Sequence, residues 1–363
     1  MKIRFLSYKS LPGIKKTALI SWPFIAALLV FILVSFAVRH PQMVEEHYSK
    51  SVYPKVAILF SGISNLIPFS LWDIFWVIFI LLIIFGIVLV VIQRVKIIWF
   101  GLRIAQVLAV LYTIFYLVWG LNYFRPGLEN RIGWKKHKPD AKVFRSVLDS
   151  MISHTNSSFI KILSDDYPAI DSLVELSYSK NSSTLGINYP NGLRRPKTTL
   201  FSSLFAKSGV SGYFGPFFNE IHLNYYLLPM EYPFVLAHEK AHQFGITNEA
   251  EANLAAFIVC TTSEDQRLQY SGYVNLLVYF LSDAGSLKDT KEFIRKINKP
   301  VIHNLRFQRS HWQGLRNTAL DEVQTAANNA YLKTNHIDEG VKNYSQVVGL
   351  VLSWYYNQSQ KVK

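Results

Sequence analysis

Residues 231–257 run EYPFVLAHEKAHQFGITNEAEANLAAF, and the reading of the whole chain turns on them. Within the stretch His238, Glu239 and His242 form H-E-x-x-H. Residues four apart share one face of an α-helix, so the two imidazoles can meet one metal ion. Glu239, one residue round, can reach a water on that ion, an arrangement that predicts zinc with a glutamate general base. Pro233 suits a first helical turn, Phe234, Val235, Leu236, Ala237 and Ala241 sustain the helix, and Gly245 stops it. A second helix is expected from Thr247 or Asn248 to Phe257. The turn between them is short enough to fold it back and offer a carboxylate.

Two acids compete for that third ligand place. With Asn248 as N-cap, Glu251 falls at the third helical position and can close a capping box. Glu249 is therefore the favoured ligand and Glu251 the alternative. Asn253, four residues after Glu249, is placed to orient a ligand histidine. Lys240 lies between Glu239 and His242. At about 100° per residue it points away from the ligand face, and it is expected to snorkel or stay wet.

The chain has 363 residues, half of them hydrophobic, and a net charge of +14. Much of that charge flanks apolar segments and no RNA- or DNA-binding motif is present, so membrane lipid is the expected acidic partner rather than nucleic acid. Cys260 is the only cysteine, which excludes an intrachain disulfide and a cysteine-ligated zinc site. Three apolar stretches are long enough to cross a bilayer: about 18–38, about 70–92, and one starting at 97 or 104, taken as 100–121. Trp119, Tyr123 and Phe124 are expected as an aromatic belt at the end of the third. A weaker patch at 56–67 is expected to lie on the membrane or pack on a neighbour.

Residues 1–122 thus form a transmembrane anchor and 123–363 a separate domain. Lys2, Arg4, Lys9, Lys15 and Lys16 precede the first span, and Arg94, Lys96 and Arg103 lie between the second and third. The positive-inside rule puts both groups in the cytoplasm and the second domain outside it. Arg125, Arg131, Lys135, Lys136 and Lys138 oppose that orientation.

H-E-x-x-H followed by E-x-x-A-N from Glu249 resembles the gluzincin metallopeptidases, whose third zinc ligand is a glutamate on a second helix. Gly245 also fits the metzincin pattern, but the third histidine of that pattern would fall at Asn248. The run Trp119-Gly-Leu-Asn-Tyr-Phe-Arg125 after the third span, with H-E-K-A-H-Q and E-A-E-A-N, resembles an uncharacterised bacterial membrane family, domain of unknown function 3810. The resemblance takes in Gly212–Phe217, Tyr331-Leu-Lys and Gly340–Tyr344, nearly the whole chain. It implies a bacterial inner-membrane protein with a helical anchor and an α+β zincin-like domain, and no substrate.

Helical spacing marks 141–163, and 179–196 is expected as loops. Alternation from Asn219 predicts a strand with Glu220, His222 and Asn224 on one face, toward a groove or solvent. Zincins place an edge strand just before the active helix, where an extended peptide can pair. Helices are expected at 270–281, 315–332 and 341–356, with 282–300 loop-like and holding a short helix.

The function these features predict is a membrane-anchored zinc metallopeptidase. Zn²⁺ is held by His238, His242 and Glu249 and the base is Glu239. A second oxyanion stabiliser is required, and His303, Arg306, His311, Tyr331 and Tyr344 are all candidates. The alternative is a catalytically inactive zinc-binding sensor or partner-docking module, suggested by Lys240 and Asn253. An intramembrane protease would need its motif inside an apolar helix, and this one is flanked by polar sequence.

Overall fold

The computed structural model describes residues 13–361, apart from 135–140, 162–165, 193, 286 and 288. Lys135, Lys136 and Lys138 lie outside the described residues, as does the basic N-terminus. The chain is mostly helical, with one small sheet. Helix α1 (Gly13–Arg39) opens it, followed by a turn of helix α2 (Pro41–Met43), a π-helical stretch Val44–Val52, and α3 (Tyr53–Asn65). Helices α4 (Leu71–Val91) and α5 (Ile97–Val118) follow. Three helices, over Ser21–Arg39, Leu71–Val91 and Ile97–Val118, are long and apolar enough to cross a membrane.

The third begins at the earlier of its two possible starts, with Arg103 inside it donating to Gln106 Oε1 at 2.9 Å. It ends at Val118, where Gly120–Phe124 tightens into a 3₁₀ turn, and the expected domain boundary at 122 falls inside that turn. The aromatic belt is a correction. Trp119 and Phe124 are buried, Trp119 against Phe115 and Phe214, so these rings pack inside the protein.

The 56–67 patch packs on a neighbour and also presents apolar surface. On α3 the face Tyr53, Ala57, Ser61 and Ser64 is buried while Ile58, Leu59 and Ile63 are exposed, with Leu66 just beyond. The four- and three-residue spacing puts small and polar groups inward and apolar ones outward, the reverse of a water-facing amphipathic helix.

After a short α6 (Leu128–Arg131), α7 covers Ala141–Ser157 and α8 Tyr167–Asn181, so α7 ends earlier than 163 and α8 runs into the expected loop region. Strand β1 (Lys197–Thr198), helix α9 (Ser202–Lys207), β2 (Gly212–Gly215) and β3 (Glu220–Leu223) follow. The sheet order is β1-β3-β2, with β1 parallel and β2 antiparallel to β3. The strand before the motif helix is therefore central, and β2 is at the edge.

Glu220 and His222 do not face a groove. The Glu220 carboxylate accepts the N–H groups of Leu71 and Trp72 at 3.2 and 2.9 Å, the Ser64 hydroxyl at 2.8 Å and the Lys197 ammonium. It thereby satisfies the orphan donors at the start of α4, where a helix favours negative charge. His222 Nε2 meets Ser70 Oγ at 2.8 Å, and Ser70 caps the same helix.

Burial pushes the Glu220 carboxyl up, but His222, Lys197, the Trp72 N–H and Ser64 outweigh it and hold it at about 2. A carboxyl depressed from 4.5 stabilises the fold fully above pH 4.5 and loses that contribution as pH falls toward 2. Melting temperature in detergent is therefore expected to drop across that window. Glu220→Ala, which leaves the buried Lys197 ammonium with only the Ser64 and Phe69 oxygens and no counter-charge, is expected to cost about 3 kcal/mol at neutral pH.

The remaining helices are α10 (Tyr232–Gln243), α11 (Glu249–Thr261), α12 (Gln266–Ala284), α13 (Thr290–Arg295), α14 (Lys299–Leu315) and α15 (Thr318–Thr334). A 3₁₀ segment, Gly340–Gln346, leads into α16 (Val347–Lys361). Helix α13 is the short helix expected within 282–300, α14 occupies residues to which the sequence pattern assigns no element, and only the later part of 341–356 is α-helical. Residues Glu249–Cys260 of α11 are all buried, so α11 is the central rod of the core, packed by α10, α12, α8 and α16.

Candidate metal centre

The centre is built by the turn between α10 and α11. Pro233 starts α10 and Gly245 ends it in the left-handed region at φ +82°. A side chain there would also press on Asn122 and Tyr53, at 3.0 and 3.1 Å from a Cβ. Asn248 then caps α11, its Oδ1 accepting from Glu251 N at 3.0 Å.

This reversal sets Glu249 against the two imidazoles. Glu249 Oε2 is 3.2 Å from both His238 Nε2 and His242 Nε2, and the two Nε2 atoms are 3.2 Å apart. Three ligands about 2.0–2.2 Å from a tetrahedral zinc stand roughly 3.3 Å from one another, so this triangle has the size such an ion requires. Two further observations fit a cation. His242 Nδ1 lies 2.8 Å from the Ile246 carbonyl, which makes it the protonated nitrogen and aims the Nε2 lone pair at the triangle. Buried Glu249 Oε2, which faces the triangle, has no hydrogen-bond partner among the described residues.

The electrostatics point the same way. Burial lowers the His242 imidazole, but the Glu249 and Glu239 carboxylates outweigh it and push it up to about 9. Burial raises Glu249, and the two imidazoles override that to hold it well below the usual carboxylate range. Positive charge is favoured at this point of the fold.

Glu239 is also buried, and burial raises its carboxyl against the pull of His238 and His242. It lies against β2, where a Cβ on Gly212 would stand 3.0 Å from Glu239 Cγ and Oε1. Glycine leaves room for that carboxylate.

Glu249 and not Glu251 joins the imidazoles. Glu251 Oε1 accepts Leu128 N at 2.8 Å and Oε2 pairs with Arg131 at 2.9 Å, so its side chain secures α6 and does not return to Asn248. No hydrogen bond joins Asn253 to either imidazole among the described residues, and its side chain faces Tyr279. Lys240 points away from the centre but neither snorkels nor stays wet. It is 0 % exposed, with Nζ 2.7 Å from Glu175 Oε1 and 2.8 Å from the Arg194 carbonyl. Among the oxyanion candidates, the Tyr344 ring lies parallel to His238 at 6.3 Å. Tyr331 accepts a hydrogen bond from Tyr123 at 2.9 Å. His311 reaches the Tyr226 carbonyl, and His303 and Arg306 are exposed on α14.

A family model described as "Protein of unknown function (DUF3810)" matches residues 48–352. The chain belongs to that family. No curated protein and no solved structure matches it.

In this DUF3810 member the site includes residues that sequence reading assigned elsewhere. The carbonyls at the end of α10 are taken by the segment around the apolar helices. Trp119 Nε1 donates to His242 O at 2.9 Å, Tyr53 O–H to Gln243 O at 2.6 Å, and Arg125 Nη1 to Gly245 O at 2.9 Å. Arg125 is itself held by Glu45 at 2.6 Å. These donors satisfy groups that a helix end leaves open. The only sequence signal for them was the density of aromatic and basic residues at 119–125.

Proposed function

We propose that this DUF3810 chain is a membrane-anchored zinc metallopeptidase with a zincin-like domain beside three membrane-spanning helices. The observation that carries the reading is the 3.2 Å triangle of His238, His242 and Glu249 with the buried Glu239 carboxylate alongside. Zinc bound by those three side chains supplies Lewis acidity and makes water nucleophilic at neutral pH. Glu239 accepts the proton of the attacking water and returns it to the leaving amine. Its burial raises its proton affinity toward that task. Tyr344 is the favoured oxyanion donor. Burial, then Glu249, keeps its phenol protonated, and it stands over a ligand imidazole. An extended peptide pairs with the outer edge of β2, whose Gly212 touches Glu239.

The second reading, a zinc-binding docking module without turnover, draws on Asn253, which orients neither imidazole. Lys240 no longer supports it, because that charge is neutralised by Glu175 away from the centre. Glu239 weighs against it, since zinc ligation by His238, His242 and Glu249 does not require a second buried acid. The test is metal removal. Hydrolysis of a mixed peptide pool by the detergent-purified chain is expected to fall at least a hundredfold on chelation and to return with one equivalent of zinc. Bound zinc with no cleavage of any pool peptide supports the docking module.

A further inference from the structure

The metal centre and the ends of the apolar helices share residues. Trp119, the first residue past α5, bonds the carbonyl of the candidate ligand His242. Phe115, in the last turn of α5, lies 6.4 Å ring to ring from Tyr331. Tyr331 is bonded by Tyr123, which lies within electrostatic reach of Glu249 and Tyr344. From the imidazole outward the order is His238, Tyr344, the Tyr123–Tyr331 pair, then the end of a candidate membrane span. Tyr331 is 42 % exposed, so this chain of side chains reaches the surface of the protein.

Strand β2 also runs from the centre to the start of a candidate span. A Cβ on Gly212 would touch Glu239 at 3.0 Å, and one on Gly215 would touch the Trp72 ring, in the first turn of α4, at 3.0 Å. Three strand steps separate those glycines, about 10 Å along β2, and they face opposite sides of the strand, so Glu239 and the start of α4 flank the same short sheet. Helix α3 adjoins the centre. Its Tyr53 bonds the end of α10, its apolar side faces outward, and it leads directly to α4. An outward face of Ile58, Leu59, Ile63 and Leu66 beside two span ends is matched by lipid.

We propose that the mouth of the centre opens at the membrane–water interface, and that its substrate is a peptide held there by its own membrane anchor and cut within a few residues of it. The substrate class rests on the metallopeptidase reading above. A scissile bond reaching Glu239 from the bilayer surface crosses about 10 Å, or three to four extended residues.

The test uses the full chain in vesicles of phosphatidylethanolamine and phosphatidylglycerol, with two readouts. Cys260 is buried, so an introduced cysteine takes a label alone. A nitrobenzoxadiazole probe on Tyr331→Cys is expected to be quenched at least threefold more by headgroup-proximal doxyl lipid than one on Glu264→Cys, past the far end of α11. Equal quenching of both by aqueous iodide, with no effect of doxyl lipid, overturns the interfacial mouth. The second readout is mass spectrometry of a random peptide pool made with and without an N-terminal palmitoyl chain. The expected result is at least tenfold more product from the acylated pool, with cuts clustered within about six residues of the anchor. Cuts spread evenly through both pools overturn the anchored substrate and leave the peptidase reading standing. Zinc-loaded protein that cuts neither pool overturns the peptidase reading and the substrate class with it, whatever the probe reports.

Discussion

Glu239→Gln is expected to lower peptide turnover by about three orders of magnitude, within the usual range for a lost general base, while the protein keeps its zinc and its melting temperature. Glutamine has the size of glutamate and cannot take the proton of the attacking water. Glu239 is not one of the three atoms of the 3.2 Å triangle, so metal occupancy is untouched. Removing this buried carboxylate relieves its desolvation and the like charge of Glu249 while giving up the pull of His238 and His242, and desolvation is the largest of these, so the fold does not suffer. Turnover and zinc content measured on one preparation check this. Loss of both together would mean that Glu239 holds the site's shape rather than a proton.

The second large effect is on stability. Glu175→Gln is expected to destabilise the protein by about 3–5 kcal/mol, because it strands a buried lysine and a buried arginine, Lys240 and Arg194. Lys240 is fully buried, and burial lowers its ammonium against the support of Glu175. Glu175 also accepts from Arg194 at 3.3 Å and from Tyr189. Lys240→Met alone leaves Glu175 with those two partners and is expected to cost less. The double variant Glu175→Gln, Lys240→Met is expected to recover only part of the loss, since the lysine charge is gone but the buried Arg194 guanidinium, which also pairs with Glu175, still lacks its carboxylate. Denaturant midpoints of the four proteins form the double-mutant cycle that checks it.

How much of this was legible in the sequence depends on how local each signal was. The pairing of His238 with His242, the stop at Gly245 and the cap at Asn248 are all set within one or two helical turns, and a periodicity argument reaches them. The competition between Glu249 and Glu251 was open because both acids sit in one turn. What separates them is Leu128 and Arg131, more than a hundred residues away in the chain. Lys240 was misplaced for the same reason, since Glu175 and Arg194 are 65 and 46 residues distant.

Trp119 and Phe124 show a different limit. A lipid-facing belt and a buried contact use the same aromatic residues, and only the folded chain distinguishes them. The sheet order was hidden because β1 is two residues long and has no pattern of its own. Helix α14 was missed because Val301 alone is buried along it, which leaves little apolar periodicity to read.

The central claim is that His238, His242 and Glu249 hold one zinc ion. Elemental analysis of the detergent-purified chain, beside His238→Ala, Glu249→Ala and Glu251→Ala, tests it directly. The expected result is about one zinc per chain in the wild type and in Glu251→Ala, and none in the other two. Zinc kept in Glu249→Ala, or absent from the wild type, would contradict it.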